Sequence, residues 1–200
     1  MDWFRRSALV VFVSMLWSLP MPASAAPGTC RVVADLTKAN EVAEWAAVND
    51  GVMGGRSSGG PRYSASGLVF EGVINTNGGG FSSVRRSLPP GSLSGSDGIM
   101  VRIKTDGRAY RLTIRTAERF RGRTVAYTAD IRAEEGEDWT EVFVPYDEFR
   151  TSVFGRAVPA APLDPATAWS IGFILGDGRD GPFAMQAEWI RACMTGESSA

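Results

Sequence analysis

The chain has 200 residues, 44% hydrophobic and 22% charged, with a formal net charge of −1. That length holds one domain with a substantial core, and the near-neutral balance makes no electrostatic case for nucleic acid. Histidine is absent, which excludes Ser-His and Cys-His catalysis, every His-ligated metal site and the usual proton shuttle near neutral pH.

The first 25 residues read as a targeting segment. Arg5 and Arg6 form a basic start, Ala8 to Leu19 is an apolar run of twelve, and Ala23-Ser24-Ala25 is a small-residue cleavage signal. The run is short for a membrane span, so the expectation is a cleaved export leader and a periplasmic or extracellular domain starting at Ala26. Membrane contact is expected only through an uncleaved leader. Without Asp2, Arg5 and Arg6 the chain keeps 19 basic and 21 acidic residues. In an oxidising compartment the only two cysteines, Cys30 and Cys193, are expected to pair. That pairing predicts that the first and last strands are neighbours.

Residues 31–36, just after Cys30, read as a first strand, and Lys38 to Glu44 as one turn of helix. A glycine-dense stretch follows, WAAVNDGVMGGRS from Trp45 to Ser57, with an echo in NGGGFSSVR from Asn77 to Arg85. Ser57 to Ser66 is a polar stretch. Gly67 to Ile74 reads as a strand, and Phe81 to Arg85 as another. Ile99, Val101 and Ile103 alternate with Met100, Arg102 and Lys104. Asp106-Gly107 follows, and then Tyr110, Leu112 and Ile114 alternate with Arg111, Thr113 and Arg115. Period-2 runs flanking Asp-Gly predict a hairpin with one apolar and one basic face. Val125 to Ile131 continues the alternation, Glu134 to Asp138 is an acidic turn, and Thr140 to Pro145 is a strand. Phe149 to Ala168 reads as irregular. Ser170 to Leu175 is a central strand, Gly176 to Pro182 a turn, Phe183 to Ile190 the last strand, and Glu197 to Ala200 a frayed tail. Nine or ten short strands without a long amphipathic helix predict an all-β, antiparallel β-sandwich over residues 26–196.

Two features are candidate binding sites. In the first glycine loop, Asn49, Asp50, Met53, Gly54 and Gly55, with Phe81 from the second, offer side-chain oxygens, free N–H groups and an apolar tip; equally, Asn49 and Asp50 would cap a turn whose glycines supply positive φ. Neither loop is a phosphate cradle, because no Gly-Lys-Ser/Thr follows. In the basic face, Arg102, Lys104, Arg111 and Arg115 would lie together over one sheet and bind an acidic or hydroxyl-rich ligand, with Tyr127 or Trp139 stacking on a sugar ring. The alternative is a solvated face answered by Asp97, Asp130 or Glu141. Asp177 and Asp180 read as a turn rather than a metal site. Glu134-Glu135 and Asp147-Glu148 show no sign of a catalytic cleft. No cofactor motif is present.

Taken in order, WAAVNDGVMGGRSSG, FEGVINTNGGGFSSVR, DGIMVRIKTDGRAYRLTIRT, WTEVFVPYDEF and SIGFILGDGRDGPFAMQAEWI resemble the complex I intermediate-associated protein 30 family. The resemblance runs from about Trp45 to Ile190. It implies a galactose-binding-like jelly roll, a fold shared with carbohydrate-binding modules. It also implies a non-catalytic, chaperone-like or assembly role exerted through protein partners such as respiratory-complex subunits. An exported carbohydrate-binding module is the alternative. The export leader differs from the transit peptide of a matrix-side assembly factor.

Overall fold

The computed structural model describes residues 27–133, 135–136 and 138–196. The expected leader and frayed tail therefore lie outside the described residues, as do Glu134 and Glu137 of the acidic turn. In chain order the strands are β1 (Pro27–Asp35), β2 (Ala46–Ala47), β3 (Ser58–Ser64), β4 (Gly67–Ile74), β5 (Ser82–Ser87), β6 (Gly98–Thr105), β7 (Tyr110–Phe120), β8 (Arg123–Asp130), β9 (Thr140–Pro145), β10 (Arg150–Val153), β11 (Arg156–Ala157), β12 (Ser170–Leu175) and β13 (Gly181–Thr195). A single turn of α-helix, α1 (Ala39–Ala43), follows β1.

The strands form two antiparallel sheets. In the first the order is β3-β4-β13-β6-β9, and in the second it is β11-β10-β8-β7-β12-β5-β2. The long β13 organises the first sheet. Its first half pairs with β4 along one side and its second half with β1, while β6 runs along the other side. Cys30 sits directly opposite Cys193 across the β1–β13 ladder, and the two form a disulfide with a Cα–Cα distance of 4.1 Å. The pairing and the adjacency of first and last strands follow the sequence expectation.

The period-2 alternation turns one face of each sheet inward. Phe70, Ile99, Val101, Ile103, Phe183 and Met185 from the first sheet meet Leu112, Ile114, Val125, Ile171, Phe173 and Leu175 from the second, all buried. Phe70 packs edge-on against Phe183 at 4.8 Å, and Trp45 stacks on Phe173 at 5.6 Å. The architecture is an antiparallel jelly-roll sandwich.

The hairpin expected around Asp106-Gly107 does not form. β6 pairs with β13 and β9, whereas β7 pairs with β8 and β12. The turn is a corner between sheets. The cause is Arg108, two residues past Asp106. Its buried guanidinium forms a two-pronged ion pair with Asp177, with Nη2–Oδ1 at 2.7 Å and Nε–Oδ2 at 3.0 Å, and donates to the carbonyls of Gly181 and Pro182. That anchor lies 69 residues away. It pulls the chain across the sandwich edge, so the basic residues of β6 and β7 end on opposite outer faces.

β3 occupies the polar stretch after the first glycine loop, to which the sequence pattern assigns no element, and β10 and β11 lie in the segment expected to be irregular. β3 is an edge strand, where Pro61 forfeits no necessary ladder bond.

Candidate functional site

The two glycine loops are held together by one carboxylate. Asp50 is fully buried. Its Oδ1 accepts from the Ser57 backbone N–H at 2.8 Å. Its Oδ2 accepts from the Ser57 hydroxyl at 2.5 Å, the Gly80 N–H at 2.6 Å and the Phe81 N–H at 3.3 Å. Burial pushes this carboxyl up, but the four hydrogen bonds, led by the Ser57 hydroxyl, outweigh it and hold the group below the usual carboxylate value. The glycines clear space for it. A Cβ at Gly55 would stand 2.2 Å from Asp50 Cγ, and one at Gly79 would stand 2.3 Å from Oδ2. Gly54, at φ +89°, closes the turn.

Asn49 is engaged in the same frame. Its Nδ2 donates to the Gly59 carbonyl at 3.0 Å and its Oδ1 accepts from Ser82 at 2.6 Å. The third loop joins through Asp180, which accepts from the Thr76 N–H at 2.6 Å. Asp177 and Asp180 thus point to different partners, Arg108 and Thr76, rather than to a shared centre. Three loops form one braced rim. Within it Asn49, Asp50, Gly54 and Gly55 hold the turn, Phe81 is half-buried beside Gly176, and Met53 projects into solvent.

The basic residues separate into two groups. Arg102 lies on the outer face of the first sheet, 2.6 Å from Glu188 and 3.3 Å from Glu141, and with Lys104 it flanks the Trp139 ring. Glu141 therefore answers Arg102, as the solvated-face alternative has it. Arg111 and Arg115 stand on the outer face of the second sheet. The β12–β5 register brings Arg85 onto the same face, because Arg85 pairs with Gly172, which pairs with Thr113.

Gly172 is the device that seats Arg85. A Cβ there would stand 2.2 Å from the Val84 carbonyl oxygen and 2.8 Å from Arg85 Cγ, so its absence lets β5 approach closely and the arginine stem lie across β12. Burial lowers the Arg85 guanidinium to about 10, and the Arg115 charge beside it adds to the shift. Arg115 is lowered by burial as well. The Nε atoms of Arg85 and Arg115 are buried without a hydrogen-bond partner.

Arg62, Arg86, Arg102, Arg108 and Arg132 each meet a carboxylate. Among the described residues, Arg85, Arg111 and Arg115 meet none. Asp130 is opposite Arg111 in register but makes no ion pair with it. Like charges gathered on one face and left unanswered cost stability unless a ligand supplies the counter-charge.

Tyr127 does not belong to this surface. It pairs with Ile114, faces the core, is fully buried and donates its hydroxyl to the Ala161 carbonyl at 2.8 Å. It cannot stack on a sugar, and the stacking expectation is corrected for Tyr127; Trp139 lies beside Arg102 and Lys104 instead. Arg85 was missed because strand pairing, not local pattern, brings it beside Arg115. The available signal was its two-residue spacing from Ser83 and Ser87 on β5, which puts the three on one face, opposite the buried Val84.

The model of the family "Complex I intermediate-associated protein 30" matches residues 34–187. The mouse mitochondrial complex I intermediate-associated protein 30 is 26% identical over 180 residues, which is 80% of this chain and 55% of that protein. The chain therefore spans about half the length of this curated relative. Among solved structures, it is similar to a family 11 carbohydrate-binding module from Clostridium thermocellum in complex with a β-1,3-1,4-mixed-linked tetrasaccharide. There the TM-score is 0.58 and the identity 20%, with 86% of this chain and 98% of the other covered. The family 11 module of the cellulosomal cellulase Lic26A-Cel5E of the same organism gives a TM-score of 0.59 at 18% identity, covering 87% and 99%. At these identities the structures show the fold alone. With its match over residues 34–187, the chain belongs to the complex I intermediate-associated protein 30 family.

Proposed function

We propose that this chain is a non-catalytic binding protein with an assembly role. In this reading it engages an acidic segment of a protein partner, of the respiratory-complex subunit class, on the outer face of the second sheet. Arg111, Arg115 and Arg85 make the contact, and the braced glycine rim fixes one end of the strands that carry them. The observation behind the reading is the set of three neighbouring arginines without a carboxylate, two of them with buried, unpartnered Nε atoms. Family membership supports the assembly role, and the Cys30–Cys193 disulfide supports an exported, oxidising location.

The second reading is a carbohydrate-binding module for uronic-acid or otherwise acidic glycans. It is favoured by the same arginines and by the fold shared with family 11 modules. Affinity capture in detergent and a glycan array, each run with wild type and with Arg111→Ala/Arg115→Ala, separate the two. Recovery of respiratory-complex subunits by wild type and their loss in the variant is the expected result. Selective binding of acidic glycans, lost in the variant, with no such subunits captured, would replace the first reading with the second. Capture unchanged in the variant refutes the assignment of the face.

A further inference from the structure

A second surface lies at the tips of two hairpins. Arg121-Gly122 joins β7 to β8, and Phe154-Gly155 joins β10 to β11. Both central residues of each turn have positive φ: +49° and +78° in the first, +50° and +74° in the second. This is the type I′ pattern, which ordinarily selects Asn-Gly or Asp-Gly. Among the described residues, Arg121 and Phe154 are the only non-glycine residues with positive φ. A bulky aromatic residue in the left-handed region is an outlier, and such outliers gather at functional sites. Here the strained conformation presents Phe154 to solvent at 70% exposure.

The tips are neighbours. The Arg123 guanidinium lies 5.1 Å from the Phe154 ring centroid, and Arg121 lies 5.3 Å from that of Phe120. Met53, Phe120, Arg121, Arg123, Phe154 and Arg156 contribute to one open hollow of about 660 Å³. Met53 is 53% exposed, and Val52 beside it is 75% exposed. The segments 117–124 and 150–157 together carry five arginines (Arg119, Arg121, Arg123, Arg150 and Arg156) against one acid, Glu118. No ion pair forms to any of these arginines among the described residues.

We infer that this end of the sandwich docks on an anionic lipid bilayer, with Phe154 and Met53 entering the interface and Arg119, Arg121, Arg123 and Arg156 meeting headgroup phosphates. The combination favours a bilayer because it asks for two chemistries side by side. Apolar side chains on separate protruding loops match the acyl boundary, and a cationic girdle matches the anionic headgroup layer just above it. This is contact by the folded domain, beyond the leader-only contact that the sequence leads one to expect. It does not depend on the arginine face of the second sheet.

The test uses residues 27–200, which contain both complete sheets, their shared core and the disulfide, so that the apolar leader cannot contribute. Cosedimentation is measured with vesicles of phosphatidylcholine alone and of phosphatidylcholine mixed with phosphatidylglycerol. Wild type should bind the mixed vesicles, weaken as salt is raised, and ignore the neutral ones. Phe154→Asn removes the apolar tip while supplying a residue that the turn prefers, so it should fold and still bind about tenfold or more weakly. Arg121→Gln with Arg123→Gln should weaken binding about tenfold and flatten the salt dependence. The inference is overturned if wild type fails to bind mixed vesicles at low salt, or if Phe154→Asn binds them as well as wild type. It is also overturned if sedimentation shows self-association that Phe154→Asn abolishes, because the occupant would then be a second copy of the chain.

Discussion

Gly55→Ala tests the account of the glycine rim most directly. Position 55 has no positive φ, so alanine meets no backbone penalty there, and the added Cβ would collide with the Asp50 carboxylate at 2.2 to 2.6 Å. Forcing a methyl group into a filled site costs about 1–3 kcal/mol, here at the upper end because the obstacle is a buried carboxylate held by four donors. Asp50→Ala removes that obstacle but strands the N–H groups of Ser57, Gly80 and Phe81 and leaves the Ser57 hydroxyl only the Asn75 carbonyl at 3.3 Å, at a cost of about 4 kcal/mol by analogy with breaking a buried charged network. Added independently, the two changes would total about 7 kcal/mol, a large part of a typical domain's 5–15 kcal/mol. The structure predicts otherwise. Once the carboxylate is gone the new methyl group has room, so the double variant should cost little more than Asp50→Ala alone. The coupling should be about 2–3 kcal/mol. Urea unfolding of the four proteins with the disulfide intact measures it. Additivity within about 0.5 kcal/mol would mean that the glycine is there for some reason other than Asp50, and the account of the rim would fail.

Reducing the disulfide, or replacing both cysteines with alanine, frees a 163-residue closure and should lower stability by up to about 5 kcal/mol, read as a fall in Tm of up to about 10–20 °C. Asp50 and Asp177 both sit below the ordinary carboxylate value. For each, burial works upward and is outweighed, by the Ser57 hydroxyl and loop N–H groups at Asp50 and by Arg108 at Asp177. Their contribution is therefore fully present above about pH 4 and lost as pH falls through the lower folded values. A Tm-versus-pH profile should drop in that acid window, and the drop should be shallower in Asp50→Asn. Phe154→Asn should raise stability by about 1 kcal/mol, seen as a Tm higher by about 2–4 °C, because it relieves a left-handed aromatic residue without removing a core contact. An unchanged or lower Tm would show that the turn carries no such strain.

Elements whose own pattern demands one surrounding were legible in the sequence. β4, β9 and β12 fall where their apolar runs put them, because a strand of alternating or continuous apolar residues can satisfy itself only against a core. Pairing was not legible. Alternation on both sides of Asp106-Gly107 says that two faces must be buried, and burial against each other across a core satisfies it as well as burial side by side in one sheet. What decided between them was Arg108 and its partner 69 residues on. Asp50 was visible as a loop residue, but its role depends on N–H groups 30 and 31 residues away. Phe154 was hidden because β10 and β11 have only four and two residues, too few for periodicity to register. The two-residue spacing of Phe154-Gly155 was the signal left unread.

The arginine face and the hairpin tips are joined by a single element, β7. Arg111 and Arg115 project outward from its body, a register break falls between Arg115 and Arg119, and Arg121 lies at the turn that follows. At a strand rise of about 3.3 Å per residue, Arg115 stands at most about 20 Å from Arg121, and Arg111 at most about 33 Å. The bend at the break shortens both distances. If the tips rest on a bilayer, the face is held within that height of it, in the layer where the water-exposed segments of membrane subunits emerge. A partner there would be met by a site already oriented and confined near the surface, and a modest face affinity would gain from the raised effective concentration. In this arrangement the cost of the strained Phe154 turn is offset by placement of the domain rather than by any contact inside the fold. On that reading a residue poorly suited to its backbone is kept at the exposed tip of the hairpin for what it meets outside the fold.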